Sequence, residues 1–368
     1  MASQVTSEAS LDLATTAAPC SPDAVASAVG DARQAVVRTS ARLAGLDVIR
    51  GVACLAITWY HLTDGYAEDS LLRASGHWGW TSLAAFFVIS GFVIPYAMHR
   101  GGYDLRRNWA TFLCKRILRI DPPYLIAALV ALVLGYASAA APGFQGQAPN
   151  YSPAQVFLHL GYLNEIAGYP WLNPVFWTLA IEFQYYLLIS LVFGLLSSNR
   201  WQLRWPVVVA FIAAPFLFEG NVYVFQFLSM FMFGIVLFQY RTDVIGRLEA
   251  GIVLALVSVS VYFNMGWAYM TVGLATTAVI LANWDFGRPR LLIFLGSISY
   301  SLYLLHVPIG GRVVNLGLRY VESETGEWLV TGLALLVSLV SATLFWHWVE
   351  RPALRWASRI KYRSSDVA

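Results

Sequence analysis

The sequence predicts an all-α polytopic membrane protein of about ten transmembrane helices, with its N-terminus and C-terminus both cytoplasmic. Three observations predict this. Of 368 residues, 58% are apolar and only 12% charged, about half the charged share of a soluble domain, and the mean hydropathy is +0.59. Apolar runs near the ~20 residues that cross a hydrocarbon core recur at about 43–63, 79–98, 122–141, 174–196, 205–219, 222–240, 248–264, 267–283, 291–310 and 328–348. With the N-terminus inside, the cytoplasmic segments take most of the 24 Lys and Arg residues. Only Arg73, Arg312 and Arg319 fall outside, and Arg50 lies within a run. One span more or fewer would scramble this alternation. The net charge of +3 is small, and from Cys20, Cys54 and Cys114, which lack CxxC spacing, no disulfide framework or zinc site follows.

Residues 1–40 are rich in Ala, Ser, Thr and Val and lack a basic segment followed by an apolar one, so they do not read as a signal peptide. The expected organisation is a disordered cytoplasmic tail over 1–40, a ten-helix membrane domain over 41–350, and a basic cytoplasmic tail over 351–368. The first run, LAGLDVIRGVACLAITWYHLT, holds Arg50 and His61. At ~100° per residue their spacing returns them to within ~20° on one helix face, ~16 Å apart along the axis. An intramembrane arginine is a functional-site hypothesis by default. Asp47 lies one turn before Arg50 and can pair with it. His61, about one turn from the outer end, suits general-base work, although helix–helix hydrogen bonding would also use it.

The segment RGGYDLRRNWATFLCKRILRIDPPYL gathers Arg106, Arg107, Arg116 and Arg119 before an expected Pro-Pro helix start. Arg116 and Arg119 are one turn apart and could hold phosphates bidentately; setting topology and attracting anionic lipid are the plainer readings. The external stretch 142–173 has aromatics but no Lys or Arg, which suits sugar stacking or a membrane interface. Glu182 lies ~12 Å from the outer end of its run, between Arg50 and His61 in depth, and needs a partner, for which those two are candidates. Ser299, Tyr303 and His306 share a helix face and form either a cavity-lining seam or a packing seam. His77, His99 and His159 read as surface or interface residues, and His347 as structural.

These motifs resemble the acyltransferase-3 family of integral membrane O-acyltransferases, of the O-antigen and exopolysaccharide acetylase type. The resemblance rests on LDVIRGVACLAITWYH, FFVISGFVI, KRILRIDPPY, FWTLAIEFQYYLL, SYSLYLLHVPI and VERPA in that order, from about Leu43 to Arg355. It implies a membrane O-acyltransferase in the cell inner membrane, moving an acyl group, commonly acetyl, from cytoplasmic acyl-CoA to a carbohydrate hydroxyl outside. By the resemblance His61 is the catalytic base and Arg50 its companion, stabilising developing negative charge. Arg116 and Arg119 match the acyl-CoA motif, and the Ser90–Gly91 turn matches a further family motif. The implied partners are the carbohydrate and membrane lipid, with no metal and no nucleic acid. The competing reading is a ten-helix transporter or flippase of a polysaccharide or glycolipid precursor, which would carry internal repeats; no evident repeat relates the two halves.

Overall fold

A computed structural model of the chain describes residues 45–141, 148–283, 286–287 and 289–362. The expected tail over 1–40 and the end of the basic C-terminal tail lie outside the described residues. The described residues are mostly helical and contain no strand. Helix α1 spans 45–63. A short α2 (Leu71–Gly76) starts at Ser70, whose hydroxyl accepts from the Leu72 N–H at 3.2 Å. A 3₁₀ turn at His77–Ser82 leads into α3 (Leu83–Arg100).

Helix α4 (Leu105–Ala139) corrects the expected Pro-Pro start. It begins at Asp104, whose carboxylate accepts from the Arg107 N–H at 3.0 Å, and runs through Pro122 and Pro123. The cap satisfies an orphan donor, whereas prolines inside an apolar helix are tolerated where neighbours occupy the freed backbone groups. The Leu118 and Arg119 carbonyls lose their N–H partners at these prolines, and beside them the Tyr300 hydroxyl donates to the Ile120 carbonyl at 3.0 Å. The 35 residues of α4 run ~52 Å. Arg116 and Arg119 therefore ride on a rigid helix, not on a loop.

The segment between α4 and α6 holds α5 (Pro153–Leu158) and a 3₁₀ turn at His159–Gly161 before α6 (Trp177–Leu196). His159 was expected near the surface but is 2% exposed. Its Nδ1–H donates to the Gln155 carbonyl at 2.9 Å and its Nε2 accepts from the Leu172 N–H at 3.3 Å, so both ring nitrogens are satisfied and the ring can be buried. Asn173 caps the turn before α6 and donates to the Leu304 carbonyl at 3.0 Å, fastening this segment to the bundle.

Helices α7 (Trp201–Leu217), α8 (Leu228–Arg241), α9 (Arg247–Met265) and α10 (Trp267–Ala282) follow. Helix α8 is apolar all round and buried from Leu228 to Gln239, as expected of a helix at the centre of a bundle. It crosses α3 at two glycines. A Cβ on Gly91 would overlap the Phe231 carbonyl, and one on Gly234 the Val88 carbonyl, a close approach that only small residues permit. Ser90 and Gly91 thus lie inside a helix, not in the expected turn.

The run expected as one span over 291–310 is bent by 58°. It divides into α11 (Arg290–Ser297), α12 (Ser299–Leu305), a π-turn at His306–Gly310 and α13 (Gly311–Gly317). Pro308 inside the π-turn has no N–H to give the ladder, and Arg312 Nη1 donates to its carbonyl at 2.6 Å. Helix α14 (Glu324–Phe345) continues through a π-turn at Trp346–Glu350 into α15 (Arg351–Arg359), which packs along α4.

Helices occupy each stretch expected to span. Six are long and apolar enough to cross a membrane, or seven if the bent pair is one span; α1 is not among them, and α7 and α10 are shorter apolar helices.

Candidate active site

Helix α1 meets α11 backbone to backbone. A Cβ on Gly51 would press on the Leu292 carbonyl, and one on Gly296 on the Asp47 carbonyl. Cys54 Sγ then donates to the Ser299 carbonyl at 3.1 Å. This contact sets the register of α1 against α12, and the His61 and His306 rings lie 5.2 Å apart between centroids, tilted by 40°. Tyr60 flanks His61 edge-on at 5.0 Å. His61 is half-buried and His306 fully buried. The His306 Nδ1–H donates to the Leu302 carbonyl at 2.9 Å, which leaves Nε2 as an acceptor without a partner among the described residues.

The rest of the expected seam is committed to packing. The Tyr303 hydroxyl sits 2.5 Å from Thr178 Oγ1 and donates to the Val175 carbonyl at 3.0 Å. Ser299 Oγ donates to the Gly296 carbonyl within its own chain turn at 2.8 Å. Of the three, only His306 keeps an open polar atom.

A second group forms around Glu182. The expected partners were Arg50 or His61; instead Glu182 Oε1 accepts from Ser90 Oγ at 3.0 Å and from the Tyr186 hydroxyl at 2.7 Å. The Arg116 guanidinium lies over the rings of Phe112 and Tyr186, at 5.2 and 5.4 Å, within electrostatic range of Glu182. The carboxylate is satisfied one turn along its own helix, and by α3, before it can reach α1. Ser90, Glu182 and Arg116, read from separate motifs, are thus one connected chain through Tyr186.

A third group lies at the N-terminal end of α1. Arg50 and Arg119 both face the carboxylates of Asp47 and Glu350. None of these closes to an ion pair among the described residues, where the salt bridges are Arg73–Asp64 and Arg204–Glu249. Glu350 Oε2 accepts from the Ser301 N–H at 3.1 Å and from Ser301 Oγ at 2.5 Å. Tyr300 is within electrostatic range of the carboxylates of both Glu350 and Glu182. Sequence reasoning gave no role to Glu350, Tyr186 or Tyr300. The acid of VERPA was the available signal, but only the π-turn at Trp346–Glu350 aims it inward.

Arg50 and His61 share the unbroken helix α1, and ~16 Å of axial rise separates them. Arg106 and Arg107 are exposed on the first turn of α4, apart from these groups. His77, His99 and His347 are exposed. Among the described residues no three His, Cys, Asp or Glu side chains gather as a metal site.

A bundle of apolar helices with an imidazole pair at one end of α1 and a guanidinium–carboxylate group at the other defines a membrane protein with polar groups organised inside it. The profile of the acyltransferase-3 family, described as an acyltransferase domain, matches residues 43–347, and the chain belongs to that family. It is 25% identical over 363 residues to the O-acetyltransferase OatA of Staphylococcus aureus (strain NCTC 8325 / PS 47), covering 84% of this chain and 57% of that protein. It is also 25% identical over 284 residues to "Putative acetyltransferase ORF330" of Acidianus two-tailed virus, covering 70% of this chain and 81% of that one. The chain thus spans little more than half the length of the staphylococcal relative. No solved structure matches it.

Proposed function

We propose that the protein is a multi-pass membrane O-acyltransferase that moves an acyl group, acetyl in the first instance, from cytoplasmic acyl-CoA to a hydroxyl of a surface or secreted carbohydrate. The observation that carries this reading is the polarity of α1, with His61 beside a second imidazole at one end and Arg50 within electrostatic range of the Glu350 carboxylate, as Arg119 is, at the other. His61 acts as the general base on the acceptor hydroxyl, a role that suits a half-buried imidazole near neutral pH. Arg50, too far from His61 to share its proton transfer, acts on the donor. With Arg119 and Arg116 it offers guanidinium donors to the phosphate and carbonyl groups of acyl-CoA. Glu182 and Ser90 hold Arg116 through Tyr186, and the Asp47 and Glu350 carboxylates offset the charge of Arg50 and Arg119 without closing an ion pair. In this reading the chain lies in the inner membrane with about ten spans, both ends cytoplasmic, and the carbohydrate arrives from outside.

The test is transfer of labelled acetyl from acetyl-CoA to the carbohydrate fraction of membranes containing the protein. His61→Ala is expected to lower transfer by 10²-fold or more. Transfer that survives His61→Ala would overturn the assignment of the base. Translocation of a carbohydrate precursor without consumption of acyl-CoA would favour a transporter instead.

A further inference from the structure

The atom that the first group leaves open is His306 Nε2. Its ring is fully enclosed, and the segment carrying it is held from several sides. Nδ1–H is spent on the Leu302 carbonyl, Asn173 grips the Leu304 carbonyl, and Gly310 closes the π-turn against Leu62 and Ser338. A neutral imidazole locked with its proton on Nδ1 offers only a lone pair at Nε2. A buried acceptor of that kind costs free energy unless a donor meets it. The ring nearest to hand is His61, at 5.2 Å between centroids. At that separation, ring edges turned toward each other bring nitrogen to nitrogen within ~3 Å, or within reach of one bridging water. Half-buried His61 can make that turn; His306 cannot.

We propose that His306 is the positioning partner of His61: its Nε2 accepts the His61 N–H and so fixes the tautomer whose other nitrogen is the base. This rests on the acyl transfer proposed above. A base oriented by a third group is the recurring form of an activated proton acceptor. In the transfer, the hydroxyl oxygen bonds to the thioester carbonyl carbon as its proton moves to the free nitrogen of His61. The carbon–sulfur bond breaks, the positive charge on His61 is shared across the N–H···N contact, and the proton leaves with the CoA sulfur as the free thiol. His306 forms no covalent bond, and no reactant beyond acyl-CoA and the hydroxyl is needed. The other titratable groups around the pair are Tyr60 from α1 and Asp64 just past its end, Tyr303 from α12, and Tyr269 from α10, which interacts with Tyr60. Tyr303 is already committed to Val175 and Thr178.

The experiment uses the full chain in lipid nanodiscs and two readouts, diethyl pyrocarbonate modification of His61 against pH, followed by mass spectrometry, and acetyl transfer from acetyl-CoA. His306→Phe fills the site without an acceptor, and His306→Gln restores one. The Phe variant is expected to displace the His61 modification profile by about one pH unit, and to lower kcat by ~10–100-fold while KM for acetyl-CoA holds. The Gln variant is expected to return both toward wild type. If Phe does not assemble, His306→Met supplies the comparison. A His61 profile indifferent to His306, or Phe and Gln variants that behave alike, overturns the pairing. If the profiles couple but wild type transfers no acetyl, the pairing stands and the proposed function fails. If His61→Ala abolishes transfer while the profiles do not couple, the function stands and the pairing fails.

Discussion

Glu182 and Glu350 are both acids inside an apolar bundle, and their surroundings separate their roles. Glu182 accepts two hydroxyl hydrogen bonds and faces Arg116. Truncation by Glu182→Ala would strand Ser90, Tyr186 and Arg116 together, and hydrogen bonds to a charged group carry about 1.5–3 kcal/mol each. Thermal unfolding in detergent is expected to show a loss of about 3 kcal/mol for Glu182→Ala and a smaller one for Glu182→Gln, whose amide oxygen still accepts. Equal losses would mean that the charge, not the hydrogen bonds, holds the chain together. The existence of a buried acid was legible from its place in PVFWTLAIEFQYYLL, but its partners were not. Depth pointed to Arg50 or His61, whereas Ser90 is distant in sequence and its hydroxyl reads as a small packing group. Glu350 was harder still. It lies past the expected end of its span, and it reaches Ser301 because the π-turn at Trp346–Glu350 adds a residue to the helical turn. No periodicity in the sequence announces that.

At the scale of elements, two contacts fix how helices meet. The crossing of α3 and α8 depends on backbone meeting backbone at Gly91 and Gly234. Gly234→Val forces a branched side chain against the Val88 carbonyl inside a buried helix, and overpacking of this kind costs typically about 1–3 kcal/mol or more. A lowered yield of monodisperse protein and a lowered unfolding temperature are expected, while Gly251→Val, at a glycine whose Cβ would meet nothing within 4 Å, serves as the control. Equal behaviour of the two would remove the close-approach argument. The second contact is the segment around His159. Burial holds its imidazole below the ordinary histidine range of about 6.5, and Nε2 must stay unprotonated to accept from Leu172. When the segment opens, the ring regains its ordinary affinity for protons. Between the two values the open form binds more protons, so the stability of the closed form falls as pH drops below about 6.5 and is recovered above it. Amide exchange over 148–173 is expected to accelerate between pH 7 and 5 beyond the intrinsic trend, and His159→Gln should flatten that dependence. An unchanged trend in the variant would assign the effect elsewhere. The Pro-Pro pair in α4 shows why element boundaries were less legible than element identity: a proline signals a helix start only where nothing upstream caps an earlier one, and Asp104 does.

At the scale of the molecule, the class was written in composition, because a chain with half the usual charge cannot present a soluble surface. Helix after helix then fell where an apolar run predicted it. What remained hidden was continuity: α4 runs through its prolines, α14 and α15 form one helical rod of 36 residues, and the stretch from Arg290 breaks by 58°. Length and hydropathy mark six or seven helices as span-capable, with α7 and α10 shorter, so the handedness of every connection after α6 turns on whether the short helices cross. Helix α7 has 17 residues and α10 has 16, or ~25 Å each at 1.5 Å per residue, somewhat less than a ~30 Å core, a mismatch that local thinning can accommodate. The charges argue that they do cross. Arg200 and Arg204 precede α7, and Arg241 and Arg247 flank the turn after α8. If α7 failed to cross, those two basic pairs would lie on opposite faces of the membrane, against the bias of Lys and Arg toward the cytoplasm. Reporter fusions therefore have a defined expectation. A cytoplasm-dependent fluorescent reporter should light after residues 199, 244 and 362, and an export-dependent phosphatase should be active after residues 148, 220 and 321. Phosphatase activity at 244 with fluorescence at 199 would mean that α7 and α8 together cross an odd number of times. That outcome would put the C-terminal end of α15 and the guanidinium group at the N-terminal end of α1 on opposite faces, against the approach of Glu350 to Arg50.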